Sequence, residues 1–176
     1  MPTNTKTKTK RADQSASQRS HAAAPGSAIA LLKKDHREVE GYFEEYEGLK
    51  NDKAKGELAK KICMALKVHT RIEEEIFYPA ARQATGDEDL LDEALVEHAG
   101  AKHLIGEIES MKPGDDLYDA KITVLGERIK HHVKEEEEGL FPECESSKMD
   151  VVAVGKQMAT RKRELMAQSG MMREAK

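Results

Sequence analysis

The sequence predicts an all-α protein, a bundle of four long helices with a short C-terminal helix and a disordered N-terminal tail. Three observations carry that prediction. Aromatic residues make up only 4% of the 176 residues and Trp is absent, while 35% are charged and Ala, Leu, Glu and Lys abound, a profile of helix rather than sheet. Apolar residues recur at alternating spacings of three and four through four segments, each bounded by Gly, Pro or Asx. One stretch, His69-Thr-Arg-Ile-Glu73-Glu-Glu-Ile-Phe77-Tyr-Pro79, returns as His132-Val-Lys-Glu-Glu136-Glu-Glu-Gly-Leu-Phe-Pro142. Each copy places His, then Glu four positions on, then Pro six positions after that. In a helix such a His and Glu stand one turn apart on one face, about 6 Å along the axis.

Residues 1–27 hold Lys6, Lys8, Lys10, Arg11 and Arg19 against Asp13, whereas the whole chain carries a net charge of −4. No apolar segment follows the basic residues and no run approaches membrane-spanning length, so neither a secretory signal nor a membrane partner is expected. The stretch shares a basic, Ser- and Ala-rich composition with organelle transit peptides but lacks the Leu and Phe of an amphipathic face. It reads as a disordered tail. Its modest charge, with no interleaved aromatics, argues against a nucleic-acid partner. Cys63 and Cys144 form no CxxC pair, which points to a reducing compartment, the cytoplasm, and to two small buried hydrophobes.

The bundle is expected over residues 28–146. Ser27 is placed to cap a first helix whose inward stripe is Ile29, Leu32, His36, Val39, Phe43 and Tyr46, ending near Gly48. Asn51 or Asp52 caps the second, on which Leu58, Ile62, Ala65, Leu66, His69, Glu73, Ile76, Phe77 and Ala80 share a face. Pro79 predicts a kink in that helix, with the pattern running on to about Ala84. Gly86-Asp87 supplies a stop and a cap. Leu91, Ala94, Leu95, His98, Ala101, Ile105 and Ile108 line the third helix, closed by Pro113-Gly114. Asp115 or Asp116 caps the fourth, with Tyr118, Ile122, Leu125, Ile129, His132, Glu136 and Leu140 inward. Residues 147–176 hold a terminal helix from about Met149 to Met166, laid against the bundle, and a frayed basic end.

The same periodicity sorts the histidines. His36, His69, His98 and His132 fall on the apolar stripes, one per helix. His103 lies some 140° round from His98 and faces solvent, and His131 sits one position off its stripe, near the seam. A single inward His, or one His-x-x-x-Glu, carries little weight, since helices are rich in Glu. The conjunction carries more: a bundle without metal would bury four imidazoles and two carboxylates in one layer with nothing to neutralise them. Mixed imidazole and carboxylate ligation without thiolate suits iron, manganese or zinc. Two carboxylates available to bridge two cations point to a redox-capable pair of iron or manganese ions rather than to structural zinc.

These residues resemble the hemerythrin-like family, also called the HHE cation-binding domain. The resemblance runs from about Ile29 to Cys144. It is carried by Asp35-His36, His69 and Glu73, Glu97-His98, His132 and Glu136, and the Phe-Tyr-Pro and Leu-Phe-Pro endings. It implies an up-down-up-down four-helix bundle around two carboxylate-bridged non-haem iron ions, His36 and His69 ligating one, His98 and His132 the other, with Glu73 and Glu136 bridging. The oxygen-carrying members have a further His one turn after the third-helix ligand, where this chain has Lys102. That departure leaves one position open at the His98 ion and favours exchange, peroxide chemistry or metal lability over reversible oxygen carriage. Ferritin-like proteins use the reverse order, Glu-x-x-His.

Three functions follow as expectations. The first is a binding module that takes dioxygen, nitric oxide or iron itself in a sensing, buffering or stress-protective role, because no second catalytic constellation accompanies the ligand set. The second is an enzyme using the open position on peroxide or nitric oxide, or in iron-sulfur cluster repair. The third is a metal-free structural or partner-binding bundle, which the buried ligand set disfavours.

Overall fold

The computed structural model describes residues 24–86 and 88–170. The expected tail over residues 1–27 and the frayed end after residue 170 therefore lie almost wholly outside the described residues, as does the Asp87 cap. Within them the chain is helical: α1 Ala28–Gly48, α2 Asp52–Ile72, α3 Tyr78–Thr85, α4 Asp89–Ser110, α5 Tyr118–Glu135, α6 Phe141–Ser146 and α7 Val151–Gln168. No described helix is long and apolar enough to cross a membrane.

Caps follow the local chemistry for three helices. Ser27 accepts from the Ala30 N–H, Asn51 from Ala54 and Asp150 from Ala153, each satisfying a donor that the first turn leaves free. Gly86 ends α3 in the left-handed region, φ 72°, with its N–H on the Arg82 carbonyl. The fourth long helix departs from expectation. Its cap position is Leu117, itself left-handed at φ 69°, because Asp115 is used one step earlier, its carboxylate taking the Lys112 N–H at 2.8 Å to close the loop.

The helices α2 and α3 are one continuous rod joined by a π turn, Glu73–Phe77, and α5 and α6 are joined likewise through Glu136–Leu140. In each the N–H of the residue before proline reaches back five residues, Tyr78 to the Glu73 carbonyl and Phe141 to that of Glu136. Proline has no N–H and its ring crowds the preceding carbonyl, so widening the turn by one residue lets the helix pass through Pro79 and Pro142 without breaking. The expected kink is thus a widened turn. It also moves the buried face by one position: after Glu73 the buried residues are Phe77, Tyr78 and Ala81, whereas Ile76 and Ala80 are only half-buried.

The four rods form an antiparallel bundle, α1 against α2 and α4 against α5, with α1–α5 and α2–α4 contacts closing the square. Two apolar clusters fill it. One contains Val39, Leu58, Ile62, Leu66, Ala101, Ile105, Leu125 and Ile129, the other Ile29, Leu32, Ile72, Phe77, Leu91, Leu140, Phe141 and Met158. Between them runs a layer of buried polar side chains. Cys63 and Cys144 are buried as free thiols, and burial pushes their pKa up, to about 11 and about 12. The terminal helix α7 lies across α1, α2 and the first π turn. It approaches so closely that a Cβ on Gly155 would stand 2.5 Å from the Gly26 carbonyl oxygen and 2.6 Å from the Ala28 nitrogen, room that only glycine leaves.

Candidate metal centre

All six residues selected by periodicity meet in the polar layer, and all six are buried. His36 Nε2 and His69 Nε2 are 3.2 Å apart, and His98 Nε2 and His132 Nε2 are also 3.2 Å apart. Glu73 lies between the pairs, with Oε1 3.2 Å from His69 Nε2 and Oε2 3.4 Å from His98 Nε2. Glu136 spans the other diagonal, its Oε2 3.3 Å from His36 Nε2 and 3.5 Å from His132 Nε2. Donor atoms of His36, His69, Glu73 and Glu136 lie within 4.8 Å of one another, as do those of Glu73, His98 and His132.

What turns the rings inward is a second set of carboxylates. Glu137 accepts from His36 Nδ1 at 2.9 Å, Glu74 from His98 Nδ1 at 2.9 Å and Glu97 from His132 Nδ1 at 2.7 Å, while Asp35 Oδ2 stops 3.7 Å from His69 Nδ1. A carboxylate there holds the proton on Nδ1, and a neutral ring then aims its Nε2 lone pair at the centre of the layer. Each of these carboxylates has an outer anchor or neighbour: Arg37 on Glu137, Lys102 on Glu74, Lys162 on Asp35, and His131 beside Glu97.

The layer fits cations. Both oxygens of Glu73 and Oε2 of Glu136 are buried and take no hydrogen bond, and facing lone pairs repel. Two anions in that setting cost several kcal/mol each unless positive charge meets them. Without metal, protons must serve. Burial opposes a charged His69, yet Glu73, Asp35 and Glu136 outweigh it and raise its pKa to about 10. Burial likewise opposes ionisation of Glu136, but His36, His132 and His69 hold its pKa at about 2. A divalent ion would take over the role of those protons.

The family model for the hemerythrin HHE cation binding domain matches residues 27–144. The chain belongs to that family. The HHE fold is shared with a solved HHE cation binding domain-containing protein from Mycobacterium kansasii, at a TM-score of 0.70 and 20% identity over 85% of this chain and 94% of that one. A curated DNA nickase from a Nostoc strain is 27% identical over 111 residues, 63% of this HHE chain. The chain spans 31% of that relative's length.

Some residues of this HHE chain act where periodicity did not place them. Tyr78 is buried, its hydroxyl donating to Glu136 Oε1 at 3.0 Å and lying 3.2 Å from His98 Nε2. Five residues past Glu73, it would point away on an α-helix; the π turn swings it into the layer. Lys102 points outward, both of its carboxylate contacts being to Glu74 at 2.6 Å, so it acts on His98 through Glu74. His103 is exposed, and His131 is 61% exposed at the seam between α4 and α5. A cleft of about 320 Å³ enters there, lined by Glu97, His98, Ala101, Ile129, His131 and His132 among others.

Proposed function

We propose that the chain holds two non-haem iron ions in this layer and binds a small ligand there, dioxygen, nitric oxide or peroxide, in a sensing, buffering or stress-protective role in a reducing, cytoplasmic setting. The observation that carries the reading is the set of four inward Nε2 atoms facing carboxylate oxygens that have no donor. His36 and His69 would hold one ion and His98 and His132 the other, with Glu73 and Glu136 reaching both. Imidazole with carboxylate suits iron, and manganese is the alternative outcome. When bound, such a pair supplies electrons to a small oxidant. The chain supplies the rest: the cleft admits a diatomic molecule, the apolar clusters exclude bulk water, and Tyr78 keeps a hydroxyl beside the His98 position, where Lys102 leaves no further nitrogen. Metal analysis and an absorption spectrum of protein purified without added metal test this. Close to two irons per chain, with visible bands that respond to dioxygen or nitric oxide, is the expected result. One zinc or no metal would refute it.

A second reading, disposal of peroxide, is favoured by one observation. The Tyr78 O–H, 3.0 Å from Glu136, can hand a proton to a small oxidant reaching the His98 side through the cleft. Fully iron-loaded protein should then turn over peroxide, and Tyr78→Phe should lose that turnover. Rates equal to those of free iron would count against it. The nicking named for the Nostoc relative stays outside our reading, because the cleft presents Glu97 and Glu127 against the single Arg128, a poor match for a phosphodiester.

A further inference from the structure

The seam between α4 and α5 carries another His-x-x-x-Glu, His131 and Glu135, one position off the buried pair His132 and Glu136. His131 Nε2 lies 3.1 Å from Glu135 Oε1 and 3.6 Å from Glu97 Oε1. An exposed His–Glu pair on one helix is ordinary. Here a third donor comes from another helix, and all three donor atoms lie within 4.8 Å of one another, one imidazole nitrogen and two carboxylate oxygens. That is a usable face for a divalent first-row cation.

Two further observations give the cluster direction. Glu97 belongs to both places at once: Oε1 faces His131 outside while Oε2 takes the Nδ1 proton of His132 inside, at 2.7 Å. The cleft beside it has Glu97 and His131 in its wall together with the buried rings of His98 and His132. The other half of the bundle has no counterpart. The positions matching His131 and Glu135 on α2 are Val68 and Ile72, both buried, and α7 lies over that side. Where the cleft opens on the layer, an outward His and Glu stand beside the buried pair; on the covered side the same positions are apolar.

We propose that Glu97, His131 and Glu135 form a surface site for a divalent transition-metal ion, which receives the ion and delivers it through the cleft to His98 and His132. The delivery role rests on the buried centre proposed above; the surface site does not. Cobalt(II), whose visible spectrum reports its ligands, is the probe for binding, and iron(II) uptake by metal-free protein, followed by stopped flow, is the probe for delivery. The variants are His131→Ala and Glu135→Gln, singly and together. Wild type should bind one cobalt equivalent that a chelator removes at once, beyond the equivalents that resist it. The double variant should lose that labile equivalent, fill the resistant ones about tenfold more slowly, and reach the same final content with the same melting temperature. Equal labile binding and equal uptake rates in wild type and double variant would overturn the proposal. Absence of any resistant equivalent in wild type would instead refute the buried centre, and the labile equivalent and its loss would still decide the surface site.

Discussion

His36 and His98 occupy matching places in the two halves of the layer. Each is held at Nδ1, at 2.9 Å, by the glutamate that follows a buried one, Glu137 after Glu136 for one and Glu74 after Glu73 for the other. Each faces the aromatic residue that a π turn swings inward. There the likeness stops. Phe141 stacks on His36 at 5.8 Å and 9°, offering only a ring face, whereas Tyr78 sits 5.4 Å from His98 and adds a hydroxyl. The partners diverge too. Glu97 reaches His132 at 2.7 Å, while the shorter Asp35 stops 3.7 Å from His69 and is engaged instead by Lys162 of α7. One half is roofed and apolar; the other is open and carries a phenol. The difference teaches that a symmetric ligand set need not give symmetric ions, since ring orientation and access are set by the residues just outside it.

The largest expected effect comes at a residue that both halves share, Glu73 or Glu136. Glu73→Ala removes an oxygen from each, and both metal equivalents should be held more than about a hundredfold less tightly, a larger loss than the 10- to 100-fold of an outer partner. Chelator competition measures it. Tyr78→Phe makes the aromatic pair alike, so release of the second-half ion should become about tenfold faster, and release of the first-half ion, which Tyr78 touches only through Glu136, should change less. Lys162→Met sharpens the contrast from the other side: Asp35 loses its cation, and release of the first-half ion should accelerate by roughly threefold, less because Asp35 is already distant. Biphasic release that stays unchanged in both variants would deny the halves their difference.

The smallest expected effect is in pH. In metal-free protein the His69 pKa is raised to about 10 from an ordinary 6.5, burial opposing the charge and Glu73, Asp35 and Glu136 favouring it. A group raised in the folded state contributes stability that is complete below pH 6.5 and lost as the pH climbs through about 10. The melting temperature of metal-free protein should therefore fall as the pH climbs through that window. Loaded protein, with a cation in place of the proton, should hold level over the same range.

Much of this was legible in the chain. The alternating spacings of three and four place His36, His69, His98 and His132 on inward stripes because a helix of 3.6 residues per turn keeps one face in phase, and all four are buried. The same arithmetic fails just after Glu73, where it assumes a turn of constant width. Tyr78 was hidden by that assumption, although Pro79 beside it was the signal. Two of the carboxylates that orient the rings were out of reach for another reason. Glu74 and Glu137 look like members of solvated acidic runs, and only the packing of one rod on another, 24 residues away for Glu74 and 101 for Glu137, gives them a histidine to hold. The contact of Lys162 with Asp35 spans 127 residues and has no local trace at all. Leu117 in place of an aspartate cap shows the same limit on a smaller scale.

The two buried thiols bear on how long such a protein would survive its own chemistry. Peroxide attacks thiolates, and a cysteine whose pKa is pushed to about 11 or about 12 exists as thiolate at neutral pH in only about one molecule in ten thousand or fewer. Cys144 lies in the same apolar cluster as Phe141, the residue stacked on His36, and so stands close to any oxidant drawn to the layer. Held as a buried thiol, it gives that oxidant no nucleophile and starts no climb toward sulfenic and sulfinic acid. The low dielectric that disfavours the unpaired carboxylates of the layer thus also keeps the sulfur protonated.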